Sequence, residues 1–410
     1  MRRAFAAITV AALTATGCAG VDTSWITSDA VTPLAQATLD TAADKRVVAI
    51  GEATHGNKEF VQARQLVIQK LVREHGFRTV AIEADYGGTA TANDYVVNGQ
   101  GSAESAAKAL GFDIYRTRET ADLLRWIHDH NADVPGTDKV RLYGFDMQRY
   151  DLNKERLLRY LKDVDPAQAG RAEAALAGLT DATRSERDKE KVAAAEQLVT
   201  QMRANQGTYL KSSSRESFML ALHHAETIQL GTRLQASGAG YGAERDAWMA
   251  DNINWIAGME AQQGRNKIIV AGHNGHIDKS GAAFAYESMG RRLARTYGKE
   301  YFAIGTEFGT STFVSKDASS GERRRFTVSQ DTPLARLFGD EPLGYLDFAR
   351  ASSRPGNRQA LDSEIRMGSV GDEFRSVYSH LSWAYTVTMV PAKAYDALVY
   401  VPHAGPVTPL

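Results

Sequence analysis

A single cysteine in 410 residues, Cys18, leaves the chain without an internal disulfide or a cysteine-based zinc cluster. Charge of one sign is lacking too. Lys and Arg number 48 against 49 for Asp and Glu, a formal net charge of -1, and no basic stripe marks a nucleic-acid surface. No apolar run approaches the ~20 residues of a membrane span, and there is no internal repeat. The Gly-x-Ser-x-Gly turn is missing, so the nucleophile elbow of an α/β-hydrolase triad is excluded. What is present is ordinary for a globular chain: 43% hydrophobic, 24% charged and 9% aromatic residues. That composition excludes collagen-like, coiled-coil-dominated and wholly disordered chains and supports a sizeable core.

The N-terminus reads as an export signal over residues 1–17. Arg2 and Arg3 precede an apolar run from Ala4 to Leu13, and small residues lead to Cys18. Ala15-Thr16-Gly17-Cys18 resembles a bacterial lipobox with Ala in place of the commoner Leu, so Cys18 is expected to carry lipid and hold an exported protein at the cell envelope. A plain secretory signal is the alternative. Residues 18–40 read as the tether.

The pattern beyond is α/β: a largely parallel central sheet with flanking helices and an inserted all-helical subdomain. β-rich runs are expected at Arg46–Gly51, Arg78–Ile82, Val140–Phe145, Lys267–Ala271, Tyr301–Gly305 and Ala397–Val401. A helix from Asn57, its N-cap, to His75 and the stop at Gly76 joins the first two runs into a βαβ unit. The apolar face of that helix carries Phe60, Val67, Ile68, Leu71 and Val72, and Arg64 interrupts it at i+4 from Phe60. From 151 to 240 the pattern is helical only, with runs at Leu152–Lys162, Glu186–Asn205 and Ser217–Leu230. This divides the chain into an α/β domain of residues 41–150 and 241–410 and an insertion of 151–240, expected to wall the cleft. Asp317–Arg325 and Ala351–Arg358 read as solvated loops.

Ligands of parallel α/β sheets sit beyond the carboxyl ends of the strands. This sequence places Glu52, His55, Glu83, Asp146, His273 and His276 there. A histidine with an ordinary pKa near ~6.5 can activate water at neutral pH. A carboxylate beside it would fix its tautomer and stabilise the imidazolium. Glu59 and Asp146 read as supporting or structural groups. The pairs His128/His130 and His223/His224, on helical stretches away from strand ends, read as surface groups.

These residues resemble the erythromycin esterase family. The likeness rests on Gly51-Glu52-Ala53-Thr54-His55-Gly56-Asn57-Lys58-Glu59-Phe60, then Arg64, Gly76-Phe77 and Glu83. It continues through Asn93-Asp94-Tyr95-Val96, Gly144-Phe145-Asp146-Met147-Gln148, Arg245-Asp246 with Met249 and Asn252, His273-Asn274-Gly275-His276 and Asp396-Ala397-Leu398-Val399. The resemblance implies a hydrolase that opens the lactone ring of macrolide antibiotics by activating water, a resistance activity. It implies His55 as base, Glu52 and Glu83 as active-site carboxylates, Arg64 as active-site arginine and His273 and His276 as the second histidine pair. Arg64 would face the oxyanion, pair with Glu52 or Glu83, or both. His273 and His276 would protonate the leaving alcohol and position substrate. Alternatively His55, Glu83, His273 and His276 would hold a divalent zinc or manganese ion.

The lipoprotein signal departs from the family's soluble antibiotic esterases and leaves the ester open. Two other readings follow from the same residues. One is a haem- or metal-binding surface lipoprotein of the ChaN-like type, and the other is a metal-dependent amidase or peptidase.

Overall fold

Six β-rich runs of the sequence become the parallel centre of a ten-stranded sheet. The computed structural model describes residues 26–184, 188–339 and 341–410. The expected export signal and Cys18 lie outside the described residues. The strands are β1 (Val31–Pro33), β2 (Val47–Ile50), β3 (Thr79–Asp85), β4 (Arg141–Asp146), β5 (Ile268–Ala271), β6 (Tyr301–Asp317), β7 (Arg323–Ser329), β8 (Gly344–Asp347), β9 (Ile365–Gly368), β10 (Glu373–Phe374), β11 (Thr386–Met389) and β12 (Ala397–Ala404).

The main path of the sheet runs β1-β8-β12-β6-β2-β5-β3-β4, with β7 and β10 paired to β6. From β12 to β4 every neighbour is parallel. Alternation along the strands explains why helices cover both faces. Val48, Ile50, Val80, Ile82 and Ile269 enter one apolar cluster, and Val47, Ala49, Ala81, Ile268 and Val270 the other.

The βαβ unit of β2, the Lys58–His75 helix and β3 is present, but its strands are not neighbours. β5 lies between them, Ile50 pairing with Ala271 and Ala271 with Ile82. Gly76 stops the helix with φ +73°. Asn57 holds the N-cap position without capping through its side chain. Its Nδ2 instead donates to the carbonyls of Thr312 at 2.8 Å and Gly405 at 3.0 Å, pinning the loop after β2 onto β6 and the C-terminal segment.

Between β4 and β5 the described chain is entirely helical, including Asp151–Val164, Pro166–Ala175, Lys189–Ala204, Arg215–Ala236 and Tyr241–Ala261. The stretch from Tyr150 to Ile228 has an apolar cluster of its own, which includes Leu157, Leu198, Tyr209 and Phe218.

Three expected loops are ordered differently. The later part of the stretch read as tether holds β1, which pairs antiparallel with β8; its proline is tolerated because the strand is at an edge. Asp317–Arg325 contains the turn of a long hairpin. β6 runs on to Asp317 and pairs with β7, whose Phe326 and Val328 alternate inward while Arg324 and Arg325 stay exposed. Ala351–Arg358 contains the start of a helix, Pro355–Asp362, led by proline in its first turn.

Candidate active site

The strand order β2-β5-β3-β4 sets the order of functional groups along one edge of the sheet. Glu52 and His55 follow β2, His273 follows β5, and Glu83 and Asp146 belong to the last residues of β3 and β4. His273 is thus set between the two glutamates. Two glycines permit this crowding. A Cβ on Gly51 would lie 2.1 Å from Asn274 Oδ1, and one on Gly56 would lie 2.1 Å from the Val314 carbonyl oxygen.

Glu52 is 2% exposed and divides its two oxygens. Oε1 accepts the Nδ1–H of His55 at 2.7 Å, and Oε2 accepts from Arg64. Nδ1 is therefore the protonated nitrogen of neutral His55, and Nε2 is left for the cleft that His55 lines. Burial alone would push the His55 pKa down. The hydrogen bond and charge of Glu52, helped by Glu83 and Asp372, turn the net shift upward from 6.5. Of the roles open to Arg64, the structure shows the ion pair. Its guanidinium is buried behind Glu52 and is not part of the cleft lining.

Glu83 is built alike and closed more completely. Its Oε1 accepts from Arg245 Nη2 at 2.7 Å and lies 3.3 Å from His276 Nε2. Its Oε2 accepts the backbone N–H of His273 at 2.8 Å. Against the cost of burial, His276 and Arg245 hold the Glu83 pKa well below the usual carboxylate range. Arg245 also donates Nε–H to Asp146 Oδ2 at 3.0 Å, and His276 donates Nδ1–H to Asp246 Oδ1 at 3.0 Å. Burial opposes the charge on His276, but Glu83 and Asp246 outweigh it and raise its pKa to about 9. The two carboxylates thus favour the protonated ring, against the Arg245 Nη1 that lies 3.1 Å from the same Nε2.

His273 is the opposite case. Burial, with the neighbouring His55 and His276, presses its pKa down to about 3. Its Nδ1 accepts the Gly275 N–H at 3.2 Å, so the ring proton sits on Nε2, a buried atom with no hydrogen bond of ordinary geometry among the described residues, although the Val370 backbone is near enough to act on the ring. The His55 and His273 rings are 4.9 Å apart between centroids.

Glu83, His273 and His276, buried, and His55 and Arg245, half-buried, form the inner lining of a cleft of about 660 Å³. Its more exposed lining includes Arg149, Arg184, Lys316 and Arg323. The last two come from the β6–β7 hairpin. Glu59 lies apart, its carboxylate accepting the Gly405 N–H at 2.6 Å. Asp146 supports Arg245.

Arg245 is the functional residue the sequence undervalued. Its only signal was the Arg245-Asp246 pair leading a helical face that continues through Met249 and Asn252. His223 and His224 are corrected: both are buried, at 3% and 5% exposure. His223 stacks on Trp255 with ring centroids 3.7 Å apart, and His224 bonds Asn153 at 2.9 Å. Burial lowers the pKa of each, and a neutral imidazole packs as an aromatic ring.

Among the described residues no group of three or more His, Cys, Asp or Glu side chains converges as a metal site. The Arg245 guanidinium lies between Glu83, Asp146 and His276.

The sequence profile described as erythromycin esterase matches residues 72–404, which takes in Glu83, Arg245, His273 and His276. The chain is similar to an erythromycin esterase type II of Escherichia coli, 26% identical over 300 residues that cover 64% of this chain and 68% of that protein. A Bacillus cereus protein of known crystal structure superposes with a TM-score of 0.77 at 25% identity, covering 91% of this chain and 92% of that one. A mutant of the erythromycin esterase EreC in its open conformation shares the fold, with a TM-score of 0.65 at 18% identity over 90% and 93% of the two chains.

Proposed function

Since the chain belongs to the erythromycin esterase family and is accordingly an ester hydrolase of small molecules, we propose that it opens a macrolide lactone or a similar ester with water activated by His55. The observation that carries this is the division of the His55 ring: Nδ1–H held by a buried carboxylate, Nε2 without a partner among the described residues in the cleft.

The water oxygen attacks the ester carbonyl carbon while its proton passes to His55 Nε2. Glu52 stabilises the imidazolium, and Arg64 fixes Glu52 so that it cannot turn away. The tetrahedral oxyanion meets the Arg245 guanidinium and the Nε2–H of His273, both on residues that line the cleft. The carbon–oxygen bond to the alcohol then breaks, and the alkoxide takes the proton back from His55. The products are a carboxylic acid and an alcohol, or one hydroxy acid from a lactone. His273, neutral down to about pH 3, serves as a donor and not as an imidazolium acid. His276 contributes fixed positive charge. No step calls on a metal.

The test is mass spectrometry of a 14-membered macrolide and of simple esters incubated with the protein lacking residues 1–17, beside a His55→Ala control. A product heavier by one water and absent from the control supports the reading. Equal product in the control overturns it. A chelator-treated sample retaining full turnover supports the metal-free route, and lost turnover restored by zinc or manganese overturns it.

We further propose lipid attachment at Cys18, on the lipobox-like Ala15-Thr16-Gly17-Cys18. Incorporation of labelled palmitate into the full chain, abolished by Cys18→Ala, is the expected result. Labelling that survives the substitution rejects it.

A further inference from the structure

Most charged side chains along the cleft are matched. Arg245 is closed by Glu83 and Asp146, Lys316 bonds Glu373 at 2.6 Å, Arg323 bonds Asp372 at 2.6 Å, and Asp113 pairs with Arg116 at 3.0 Å. Two guanidiniums are left. Among the described residues, the one carboxylate oxygen within 4 Å of Arg149 is Asp181 Oδ2, at 3.8 Å, too long for a hydrogen bond. The other oxygen of Asp181 is engaged by the backbone N–H groups of Tyr150 at 2.7 Å and Asp151 at 3.2 Å. Arg184 donates Nη1–H to the Asp181 backbone carbonyl at 2.8 Å, a neutral acceptor, and no described carboxylate lies within 4 Å of it.

Arg149 is held in place nonetheless. Its guanidinium lies over the Phe112 ring at 5.2 Å, and its Nε is buried without a partner. The two cations are close enough to repel. Burial first, and then the charge of Arg184, lowers the Arg149 pKa. A pre-positioned pair of guanidiniums short of carboxylates presents the forked donors that oxyanions accept.

We infer that Arg149 and Arg184 form an anion subsite of the catalytic cleft, and that the preferred substrate is an ester carrying a carboxylate or phosphate group away from the scissile bond. The inference rests on the hydrolase reading above and names its substrate class. A neutral ester gains nothing from these two residues.

The experiment uses three 4-nitrophenyl esters with the same chain: hexanoate, the monoester of adipic acid, and 6-phosphooxyhexanoate. In the wild-type protein at low ionic strength, kcat/KM for at least one anionic ester exceeds that for hexanoate by about tenfold, as expected for charge-assisted hydrogen bonds. Which anion leads identifies carboxylate or phosphate. The preference shrinks with added salt and falls towards unity in Arg184→Met, whose side chain is partly exposed, and in Arg149→Met, which keeps an unbranched apolar side chain in that half-buried place. An anion-to-hexanoate ratio at or below one, or one that neither substitution moves, overturns the inference. A second reading needs no turnover: calorimetric binding of monomethyl adipate, 6-phosphooxyhexanoate methyl ester and methyl hexanoate to His55→Ala protein, with and without Arg184→Met. Binding of an anionic ester that depends on Arg184, beside a wild type that cleaves none of the esters, would retain the subsite and discard the hydrolase reading. Cleavage without charge preference would do the reverse, and neither cleavage nor anion-dependent binding removes both.

Discussion

Glu52 and Glu83 lie at the carboxyl ends of parallel strands, both buried, each paired with one imidazole ring and one guanidinium, and yet the two groups are left in different states. Beside Glu52 no second described carboxylate comes within bonding distance of His55 or Arg64, and His55 keeps a nitrogen free. Beside Glu83, Asp146 completes Arg245 and Asp246 completes His276, so each cation is shared between two anions. The same three residue types thus make a proton acceptor in one place and a fixed positive charge in the other. The number of carboxylates decides which. One anion raises an imidazole modestly and leaves it able to titrate; two hold it charged through neutral pH.

The contrast can be broken most sharply at its open member. His55→Ala is expected to lower kcat/KM by about 10³–10⁴ with the circular dichroism spectrum unchanged, since general-base catalysis is worth that much; retained turnover would sink the assignment. Glu52→Gln is expected to cost about 10²–10³. Glu52 raises the His55 pKa, so its loss should also move the acid limb of the pH–rate profile to lower pH, and an unmoved limb would separate Glu52 from the base. At the closed member, Arg245→Met should cost about 10² in kcat with less change in KM, and Arg245→Lys should recover part of it. A loss confined to KM would make Arg245 a binding group only.

The smallest effect sharpens the comparison most. Wild-type kcat/KM should rise through a limb above pH 6.5 as His55 deprotonates and fall through about pH 9 as His276 loses its proton. Asp246→Asn takes away one of the two anions and should pull the upper limb down. The same group enters stability. Its folded pKa of about 9 exceeds the ordinary 6.5, so its stabilising contribution is complete below pH 6.5 and is lost as pH rises through 9. Thermal melts of wild type and His276→Gln should therefore differ at pH 6 and converge near pH 9.5; a constant gap would contradict the raised pKa.

Much of this edge was legible because parallel strands obey a positional rule. Glu52, Glu83, Asp146 and His273 could be placed from the β-rich runs that precede them, and the histidine doublet from its spacing. Arg245 could not. It reaches Glu83 from 162 positions away, on a helix where nothing in the local periodicity separates an arginine turned to the sheet from one turned to water. Arg64 was visible as an oddity on an apolar face, but which glutamate it would meet depended on the sheet order. The cleft lining was least legible. The hairpin supplying Lys316 and Arg323 hides its strand character, because three consecutive arginines leave only Phe326 and Val328 to mark the alternation. His223 and His224 show the limit of counting polarity: a neutral imidazole on a helix buries as readily as a tyrosine when a flat partner such as Trp255 is present.

The place of β5 carries a consequence in time. β2 and β3 emerge early from a growing chain, yet the strand that pairs with both ends at Ala271. Until synthesis has passed that point, the two strands have no common partner and each offers a row of unpaired backbone groups to any other extended chain. The early half cannot finish its sheet, and the contacts that do so are of long sequence separation and slow to form. A chain stopped before Ile268 is therefore expected to aggregate instead of yielding a partial enzyme. The last histidines of the catalytic edge, His273 and His276, arrive just as the sheet first becomes able to close.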